Sequence, residues 1–265
     1  MKRIILFVII NICLSTSGKS QNNNDSLKSQ DETIQKHLIN KAFNFWLYSR
    51  EREEEIDKRL DLDSTNARLW QQKAMPLFKQ GKYEKGMEYI DKAVKYDRLN
   101  YQNYRAFIKC IFAKTYRDAI NDFEDCKKRN GNNIVMDHSY NFYIALSYLQ
   151  LHKFKKAEEI FKKDIEFLRT TKGDDWVHHL DLFYYGISLF EQKKYYEAIK
   201  IFDLSLNKYP EFSDVQYYKA IALNILGNEI QALELLTSAK INADKGLTIN
   251  EDNVIYEKYP YQVRW

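Results

Sequence analysis

The stretch GKYEKGMEYIDKA, residues 81–93, decides the fold of this chain. It lies in a longer segment, 67–100, in which two runs of residues place apolar or small side chains at the three-to-four spacing of an amphipathic helix. The first run contains Ala74, the second contains Gly86, and a Gly-containing turn joins them. Small residues at these positions allow two helix axes to approach closely. One such hairpin cannot bury its apolar face alone, so we expect it to stack on copies of itself.

The second half of this hairpin recurs four more times. In each copy a small residue is followed four positions later by a large apolar residue. An aromatic residue stands three positions before the small one in every copy but the last. The copies are DAINDF at 118–123, KAEEIF at 156–161, EAIKIF at 197–202 and QALELL at 231–236.

This pattern, with a repeat of roughly 34 residues, resembles the tetratricopeptide repeat family. The resemblance is good at the small positions and weak at the closing proline, which only Pro210 provides. It implies an all-α fold, a right-handed superhelical solenoid of stacked helix–turn–helix repeats. We therefore expect no β-strand anywhere between residues 101 and 240.

The predicted organisation has five parts. The apolar and aromatic tail at the carboxyl end is costly to leave in water, so we expect it to cover the last repeat as a lid or to turn back into the groove. The parts are a signal peptide at 1–20, a disordered spacer at 21–32, a degenerate N-terminal capping helix pair at 33–66, five repeats within 67–240 (about 67–100, 101–131, 138–170, 179–210 and 211–240), and the tail at 241–265.

Two local features frame the first repeat. Ser64 or Asn66 is placed to cap the helix that follows by accepting hydrogen bonds from its free amides. Pro76 lies inside that helix and predicts a kink or an early stop near Lys73, because proline removes a backbone donor and crowds the preceding turn.

The amino end has the three-part layout of a secretory signal peptide. Two basic residues precede an apolar run at 4–14, and a small, polar stretch follows at 15–20. The run is too short to span a bilayer comfortably. We predict cleavage after Ser20, or alternatively after Ser17, and no lipidation of Cys13, because the residue before it is not small. The mature protein is then periplasmic or secreted and has no membrane span.

Composition and charge favour a helical protein that does not bind nucleic acid. Gly and Pro are scarce, with 8 and 3 residues. The 41 Lys and Arg nearly balance the 37 Asp and Glu, giving a net charge of +4. Charges of both signs are interleaved, whereas a nucleic-acid footprint concentrates basic residues on one face.

The resemblance also assigns a concave partner-binding groove to one side of the first helices. Its apolar centre suits an amphipathic helix or an apolar extended segment of a protein or peptide partner, anchored by aromatic side chains. In the alternative interpretation the register is shifted by one residue and some of these side chains belong to the core. The predicted partner-binding residues are Met75, Phe78, Arg105, Lys109, Phe112, Phe142, Leu146, Leu149, Phe183, Ile187, Phe190, Tyr217 and Ile221.

Residues with catalytic or metal-binding potential are few. The sequence has no Gly-rich phosphate loop, nucleophile elbow or zincin helix, so we predict no catalytic residue, cofactor or metal. His178 and His179, beside two aspartates in the loop 174–179, are interpreted as a polar helix start rather than a metal site. Cys110 and Cys126 are predicted to be buried thiols rather than a disulfide.

The favoured function is an exported, non-enzymatic module that binds a protein or peptide partner. This chain, with its aromatic tail (YPY at 259–261), resembles small exported repeat proteins of Bacteroidetes-type bacteria. This resemblance implies an immunity protein that neutralises an antibacterial toxin. One alternative is an envelope assembly or scaffold factor, and another is a metal-binding protein or enzyme that uses the 174–179 loop.

Overall fold

The structure is a computed structural model that describes residues 44–265. The predicted signal peptide, the predicted spacer and residues 33–43 of the predicted N-terminal helix pair lie outside the described residues. Within 44–265, none of the helices combines the length and the apolar character that crossing a membrane requires.

The chain divides into two units, residues 1–65 and 66–265. In the described part of the first unit, helix α1 spans Arg50–Leu62. The side chain of Ser49 caps this helix by accepting a hydrogen bond from the amide of Arg52.

The second unit is built from ten α-helices between residues 67 and 244. Consecutive helices pack against each other along the chain, so that they form five hairpins in a stack. This confirms the predicted all-α helical-repeat fold, while the exact division into repeats stays a prediction. The helices are α2 Ala67–Lys79, α3 Tyr83–Tyr96, α4 Arg98–Ile111, α5 Tyr116–Asn130, α6 Tyr140–Gln150, α7 Phe154–Thr171, α8 His179–Glu191, α9 Tyr195–Lys208, α10 Ser213–Ile225 and α11 Glu229–Asp244.

The start of α2 agrees with the sequence, but its end does not. Asn66 caps the helix, since its side chain accepts a hydrogen bond from the amide of Leu69 at 3.2 Å. The early stop predicted near Lys73 is wrong, because α2 continues through Pro76 to Lys79. The proline lies in the last turn of the helix, so only three helical residues follow it.

A tight turn joins the two helices of each hairpin, and each turn contains a residue with positive φ. The first and last hairpins use glycine there, which adopts this conformation without strain. The other three use larger side chains, and for that reason these turns are less visible in the sequence. The residues are Gly81, Lys114, His152, Lys193 and Gly227.

The turn of the second hairpin is one residue longer than the others, and this changes the register of α4. It occupies residues 112–115, whereas other turns have three residues. The buried small residue of α4 is consequently Ala106, thirteen positions before Ala119, while Ala145 lies twelve positions before Ala157. The prediction of which face of α4 lines the groove is therefore wrong.

Close approach within a hairpin is clearest between α8 and α9. A Cβ atom added to Gly186 would lie 2.4 Å from Cε1 of Phe202, a fully buried ring. Real Cβ atoms do not approach a neighbour this closely, so only glycine fits at this point of the interface. The same relation holds in the first hairpin between Gly86 and Phe78, again at 2.4 Å.

A short strand pair lies in the connection between α5 and α6. Strand β1 (Ile134–Val135) pairs antiparallel with strand β2 (His138–Ser139). Met136 and Asp137 between them both have positive φ, as in the mirror-image turns that favour tight hairpins. The expectation that no strand occurs between residues 101 and 240 is wrong at this connection, although the helices stack on both sides of it.

The two cysteines of the second hairpin are free thiols, as predicted. Both Cys110 and Cys126 are buried. The Sγ atom of Cys110 lies 3.4 Å from the Ser147 hydroxyl on α6, and burial raises the pKa of Cys110 to about 12. The thiol therefore acts as a small apolar core group.

We predict that Gly186→Ala destabilises the protein, even though alanine forms helix better than glycine by about 1 kcal/mol. The added methyl must displace the Phe202 ring, and overpacking of this kind costs about 1–3 kcal/mol. Urea unfolding measures the change in the free energy of unfolding. A second change, Phe202→Leu, makes room, so the double variant should lose less than the sum of the two single variants. Simple additivity would contradict the proposed contact.

Candidate functional site

The C-terminal segment, residues 245–265, lies along the first helices of the hairpins and then returns. We call the side of α2, α4, α6, α8 and α10 that carries it the first-helix surface. The outward arm (247–257) crosses from the fifth hairpin to the first, and the return arm (259–265) leads back to the fifth. The segment thus follows the side of the stack on which a partner-binding groove was predicted.

Polar contacts hold the outward arm at successive hairpins. The first three involve residues at or just before the start of a first helix, and the last, at Glu257, involves residues at the turns of the second and first hairpins, so the arm passes the hairpins in reverse order. In chain order, Ser213 N donates to Leu247 O at 2.9 Å, His179 Nε2 lies 3.2 Å from Asn250 Oδ1, His138 Nε2 lies 3.2 Å from Glu251 Oε1, and Glu257 accepts from Lys114 Nζ at 2.6 Å and from the Tyr83 hydroxyl.

Aromatic rings and backbone groups hold the return arm. The Tyr184 hydroxyl donates to the carbonyl of Pro260 at 3.0 Å in a buried position. Tyr261 packs beside Tyr218, with ring centroids 6.0 Å apart, and Trp265 meets Tyr217 edge to face at 5.5 Å.

One carboxylate holds both arms. Asp214, in the first turn of α10, accepts a hydrogen bond from Ile249 N at 3.0 Å and one from Val263 N at 2.7 Å, each at a different oxygen. The residue has no exposed surface. Burial raises the pKa of Asp214 to about 6, although the two amide hydrogen bonds lower it. The carboxylate replaces the water that the two amides of the segment would otherwise bind.

The segment also contributes to the hydrophobic core. Ile249 and Tyr259 are buried, and Tyr256 packs against the core with its ring 4.4 Å from the Lys79 ammonium. Fully burying a side chain of this size stabilises a fold by about 1.5–3 kcal/mol. Apolar burial and polar anchoring therefore act together to keep the segment on this surface.

A polar cluster lies at the centre of the surface, around His138. The ring of this residue is buried and stacks on Phe142, with centroids 3.8 Å apart. Its Nδ1 lies 3.5 Å from Asp181 and its Nε2 lies 3.2 Å from Glu251. Burial lowers the pKa of His138, but hydrogen bonds to the two carboxylates outweigh this effect and raise it to about 9. His178 adjoins the cluster, its ring centroid 5.2 Å from that of His138.

Seven of the thirteen predicted partner-binding residues are buried, so the expectation that they line an open groove is wrong. The Phe142 ring packs on Phe161 of the neighbouring helix and on Tyr184, while Phe183 packs on Phe212. The alternative of a core position holds for these side chains. The seven are Phe78, Phe112, Phe142, Leu146, Leu149, Phe183 and Ile187.

Arg105 and Lys109 face the second helices, not the first-helix surface. Arg105 forms a two-pronged contact with Asp122 of α5, at 2.8 and 2.6 Å, and also reaches Asp91 of α3 at 2.8 Å. Lys109 binds the same Asp122 at 2.7 Å. Their assignment to the groove is wrong because of the longer turn after α4.

The other four predicted residues remain partly accessible. Met75 lies beside Tyr256 of the outward arm in a shallow cavity. Phe190 packs against Tyr218, and Tyr217 meets the C-terminal Trp265. Ile221 belongs to the open end of the stack. Whether any of these residues binds a partner stays a prediction.

The open end of the stack lies between α10 and α11, and the C-terminal segment does not cover it as a lid. Ile230 and Leu233 of α11 are 80% and 67% exposed there. A further hairpin would pack on this face in a longer stack.

The histidine and aspartate loop that was considered as a metal site does not form one cluster. The Asp174 carboxylate pairs with Arg169 at 2.8 Å and with Lys208 at 2.9 Å. His178 instead approaches His138, and its ring caps α8 by accepting a long, 3.4 Å hydrogen bond from the second residue of the helix.

Sequence reasoning missed the residues that hold the segment, chiefly Asp214, His138 and Glu251. Asp214 lies near the start of an amphipathic helix, where an acidic residue is ordinarily a solvated cap. Its partners lie 35 and 49 residues away. The one available signal was an aromatic tail too apolar to remain in water.

Comparison with solved structures establishes the fold. A tetratricopeptide repeat protein from Parabacteroides merdae superposes with a TM-score of 0.63 at 17% identity, covering 78% of this chain and 79% of that protein. PilW, a type IV pilus biogenesis factor, gives 0.60 at 14% identity over 74% and 86%. YrrB, described as a TPR protein with an unusual peptide-binding site, gives 0.50 at 18% identity over 72% and 94%.

No family model and no curated protein matches the chain. The likenesses above are at low identity, so they define a class by fold: this chain has the helical-repeat solenoid fold of tetratricopeptide proteins.

We predict that the stability contributed by Asp214 increases as the pH falls. Its folded pKa of about 6 lies above the unfolded value of about 3.9, so the folded state binds the proton more tightly. Between about pH 7.5 and about pH 4.5, wild type should gain about 2 kcal/mol in unfolding free energy relative to Asp214→Asn, which does not titrate. Urea unfolding of both proteins at the two pH values measures this gain. A constant difference between them would contradict it.

We predict that Arg105→Met destabilises the protein by about 2–4 kcal/mol, because Asp122 would keep its charge in a mostly buried position with a principal partner removed. Thermal or urea unfolding provides the measurement. Arg117→Met, at an exposed arginine on α5, is the matched control and should change stability by about 0.5 kcal/mol or less. Equal effects of the two changes would contradict the assigned role of Arg105.

Proposed function

We propose that this chain is a non-enzymatic protein-binding module that receives an extended peptide on its first-helix surface, where its own C-terminal segment lies. The observation that carries the proposal is the segment itself, a chain without helix or strand that crosses the hairpins and is held at both arms. A surface that binds one such chain through backbone amides and a few side-chain positions has the properties needed to bind another.

The contacts define the chemistry of the partner. Asp214 binds two backbone amides. Any extended peptide supplies such amides unless it has proline at these positions. Lys114 and the Tyr83 hydroxyl receive a carboxylate, the position that Glu257 holds. Lys79 lies beside an aromatic ring. The expected ligand is therefore an extended, acidic and aromatic peptide, not a basic one.

A partner must displace the segment before it can bind. Tethering gives such a segment an effective concentration of about millimolar for a short flexible linker. A partner then gains access if it binds much more tightly than the segment does, or if a substitution weakens the binding of the segment. This competition explains how a groove with an apolar lining can exist without exposing a large apolar patch.

The fold comparison supports peptide binding only in a general way. The peptide-binding site named for YrrB belongs to that protein, and peptide binding enters here as part of our proposal. Four features support it: the anchored segment, its shared acceptor Asp214, the cationic position at Lys114 and the cation–π contact of Lys79.

Export and the identity of the partner are finer parts of the proposal, and the sequence supports them. The layout of residues 1–20 supports a signal peptide and a periplasmic or secreted location in a bacterium. The resemblance to small exported repeat proteins with aromatic tails supports an immunity protein with a toxin as its partner. This version requires that the protein capture a toxin from cell extract and that its expression protect cells from the toxin. An envelope scaffold would instead capture an envelope component.

We predict that weakening the return arm opens the surface to a peptide supplied in solution. Val263→Pro removes the amide that donates to Asp214, because proline has no N–H. A labelled peptide with the sequence of residues 249–265 should bind this variant at least about tenfold more tightly than it binds wild type, since less of the tethered competitor is in place. Fluorescence anisotropy provides the dissociation constants.

Two controls accompany this measurement. Arg264→Ala changes the neighbouring exposed side chain and should behave like wild type. A peptide with glutamine in place of Glu257 should bind the Val263→Pro chain several-fold more weakly than the native peptide, because it lacks the carboxylate for Lys114. Failure of the native peptide to bind the proline variant would argue against a peptide-binding surface.

A further inference from the structure

Three side chains of metal-ligating type converge at the centre of the first-helix surface. They are His138 on β2, His178 directly before α8, and Glu251 on the outward arm. One ligand atom of each lies within 4.8 Å of the others. They come from three separate parts of the chain, so only the folded protein with its segment in place brings them together.

The surroundings of His138 match those of a metal-bound histidine. Its Nδ1 faces the Asp181 carboxylate at 3.5 Å, which directs the other ring nitrogen, Nε2, toward Glu251. Metal-ligating histidines ordinarily donate one ring N–H to a carboxylate or carbonyl group in this way, and this fixes the tautomer and the ring orientation. Asp181 is itself fixed, because it accepts the backbone N–H of His178 at 2.9 Å.

The spacing is close to what a tetrahedral ion requires. Bonds of about 2.0–2.2 Å to nitrogen and oxygen place neighbouring ligand atoms about 3.4 Å apart. The His138 Nε2 to Glu251 Oε1 distance is 3.2 Å, so this pair already has the required separation. The His178 ligand atom, within 4.8 Å of the other two, has to move closer by up to about 1.4 Å. Its 3.4 Å capping contact with Leu180 N is long, so reorienting the ring breaks only a weak hydrogen bond.

We propose that His138, His178 and Glu251 bind a divalent transition-metal ion, with zinc as the best match, and that this ion fastens the outward arm to the stack. Two imidazoles and one carboxylate suit zinc better than magnesium or calcium, which prefer oxygen ligands. His178 lies at the exposed rim of the cluster, so water completes the fourth position and the ion can enter from solvent. The metal site requires no partner and therefore stands apart from the proposed peptide binding.

Metal binding and an ion-pair cluster make different predictions for the same residues. In the ion-pair arrangement, an imidazolium at His138 bridges Asp181 and Glu251, and His178 is a bystander. In the metal arrangement, His138 is a neutral ligand and His178 is required. Removing the His178 ring therefore separates the two.

The experiment is a calorimetric titration of the chelator-treated, purified chain with zinc chloride. Wild type should bind one ion per chain. His178→Ala and Glu251→Gln should each weaken binding at least about tenfold, because even the loss of an outer-shell partner costs about 10–100-fold in metal affinity. His152→Asn, in an exposed turn, and Glu234→Gln, at an exposed position of α11, are the matched controls, and both should bind like wild type. Asparagine suits the positive φ of His152. His178 is exposed, so His178→Ala tests the site without changing the buried His138.

A second measurement follows the segment itself. Trypsin cleavage after the exposed Lys258 should slow at least about tenfold when zinc is added to wild type, and should not change when it is added to Glu251→Gln.

A third measurement uses cobalt in place of zinc. Wild type with cobalt should show the visible absorption of a four-coordinate ion, and His178→Ala should lack it. Absence of zinc binding by wild type, or binding unaffected by both ligand changes, would overturn the site. Binding without protection of Lys258 would overturn its role in fastening the segment.

Discussion

The structure depends on close contact between the two helices of each hairpin, where a small residue on one helix meets a ring or small residue on the other. Gly186 against Phe202 is the clearest case, with no room for a methyl group. Contact at this distance fixes how far apart the helices lie and how each is rotated about its axis. Because the relation recurs along the chain, the first helices come to lie on one side of the stack. The first-helix surface is a consequence of that repetition.

A helical surface of this kind offers few backbone partners to a second chain, since its own amides and carbonyls are already paired within the helices. An extended segment placed there must find acceptors and donors among side chains. This requirement explains the buried polar groups on an otherwise apolar face. The Asp214 carboxylate accepts two amides and the Tyr184 hydroxyl donates to a carbonyl. The desolvation that raises the pKa of Asp214 is the cost of placing a charge where the segment needs an acceptor.

The helical pattern could be predicted from the sequence because it is local. Small and aromatic residues at fixed spacing mark the second helices of the first four hairpins, and Asn66 marks the start of α2. The first helix of the second hairpin was placed in the wrong register because its turn lacks glycine and contains one extra residue, with Lys114 in the left-handed conformation. No local pattern reports that insertion. A prediction made without that insertion places Arg105 on the groove side.

The site could not be predicted because it is formed by contacts between distant parts of the chain. Phe142 and Phe183 have the spacing of groove residues, but spacing does not reveal what covers a helix face. Here the face is covered by neighbouring helices and by a segment from the end of the chain. The sequence showed only that the tail was too apolar to stay in water, a property shared by a lid and by an occupant of the groove. The hydrogen bonds of Asp214 distinguish an occupant of the groove from a lid, and the residues that donate them lie far from Asp214 in the sequence.

The way the segment is held determines how it can leave. A single carboxylate binds both arms, so loss of one arm alone leaves a buried oxygen of Asp214 without a donor, which is unfavourable. At the far end of the loop, Glu257 fixes the turn between the arms through Lys114 and Tyr83. Local opening is favoured where few contacts must break together, and here the contacts are shared between the arms. The segment should therefore leave as a unit, and a partner that competes for part of the surface must overcome the affinity of the whole segment.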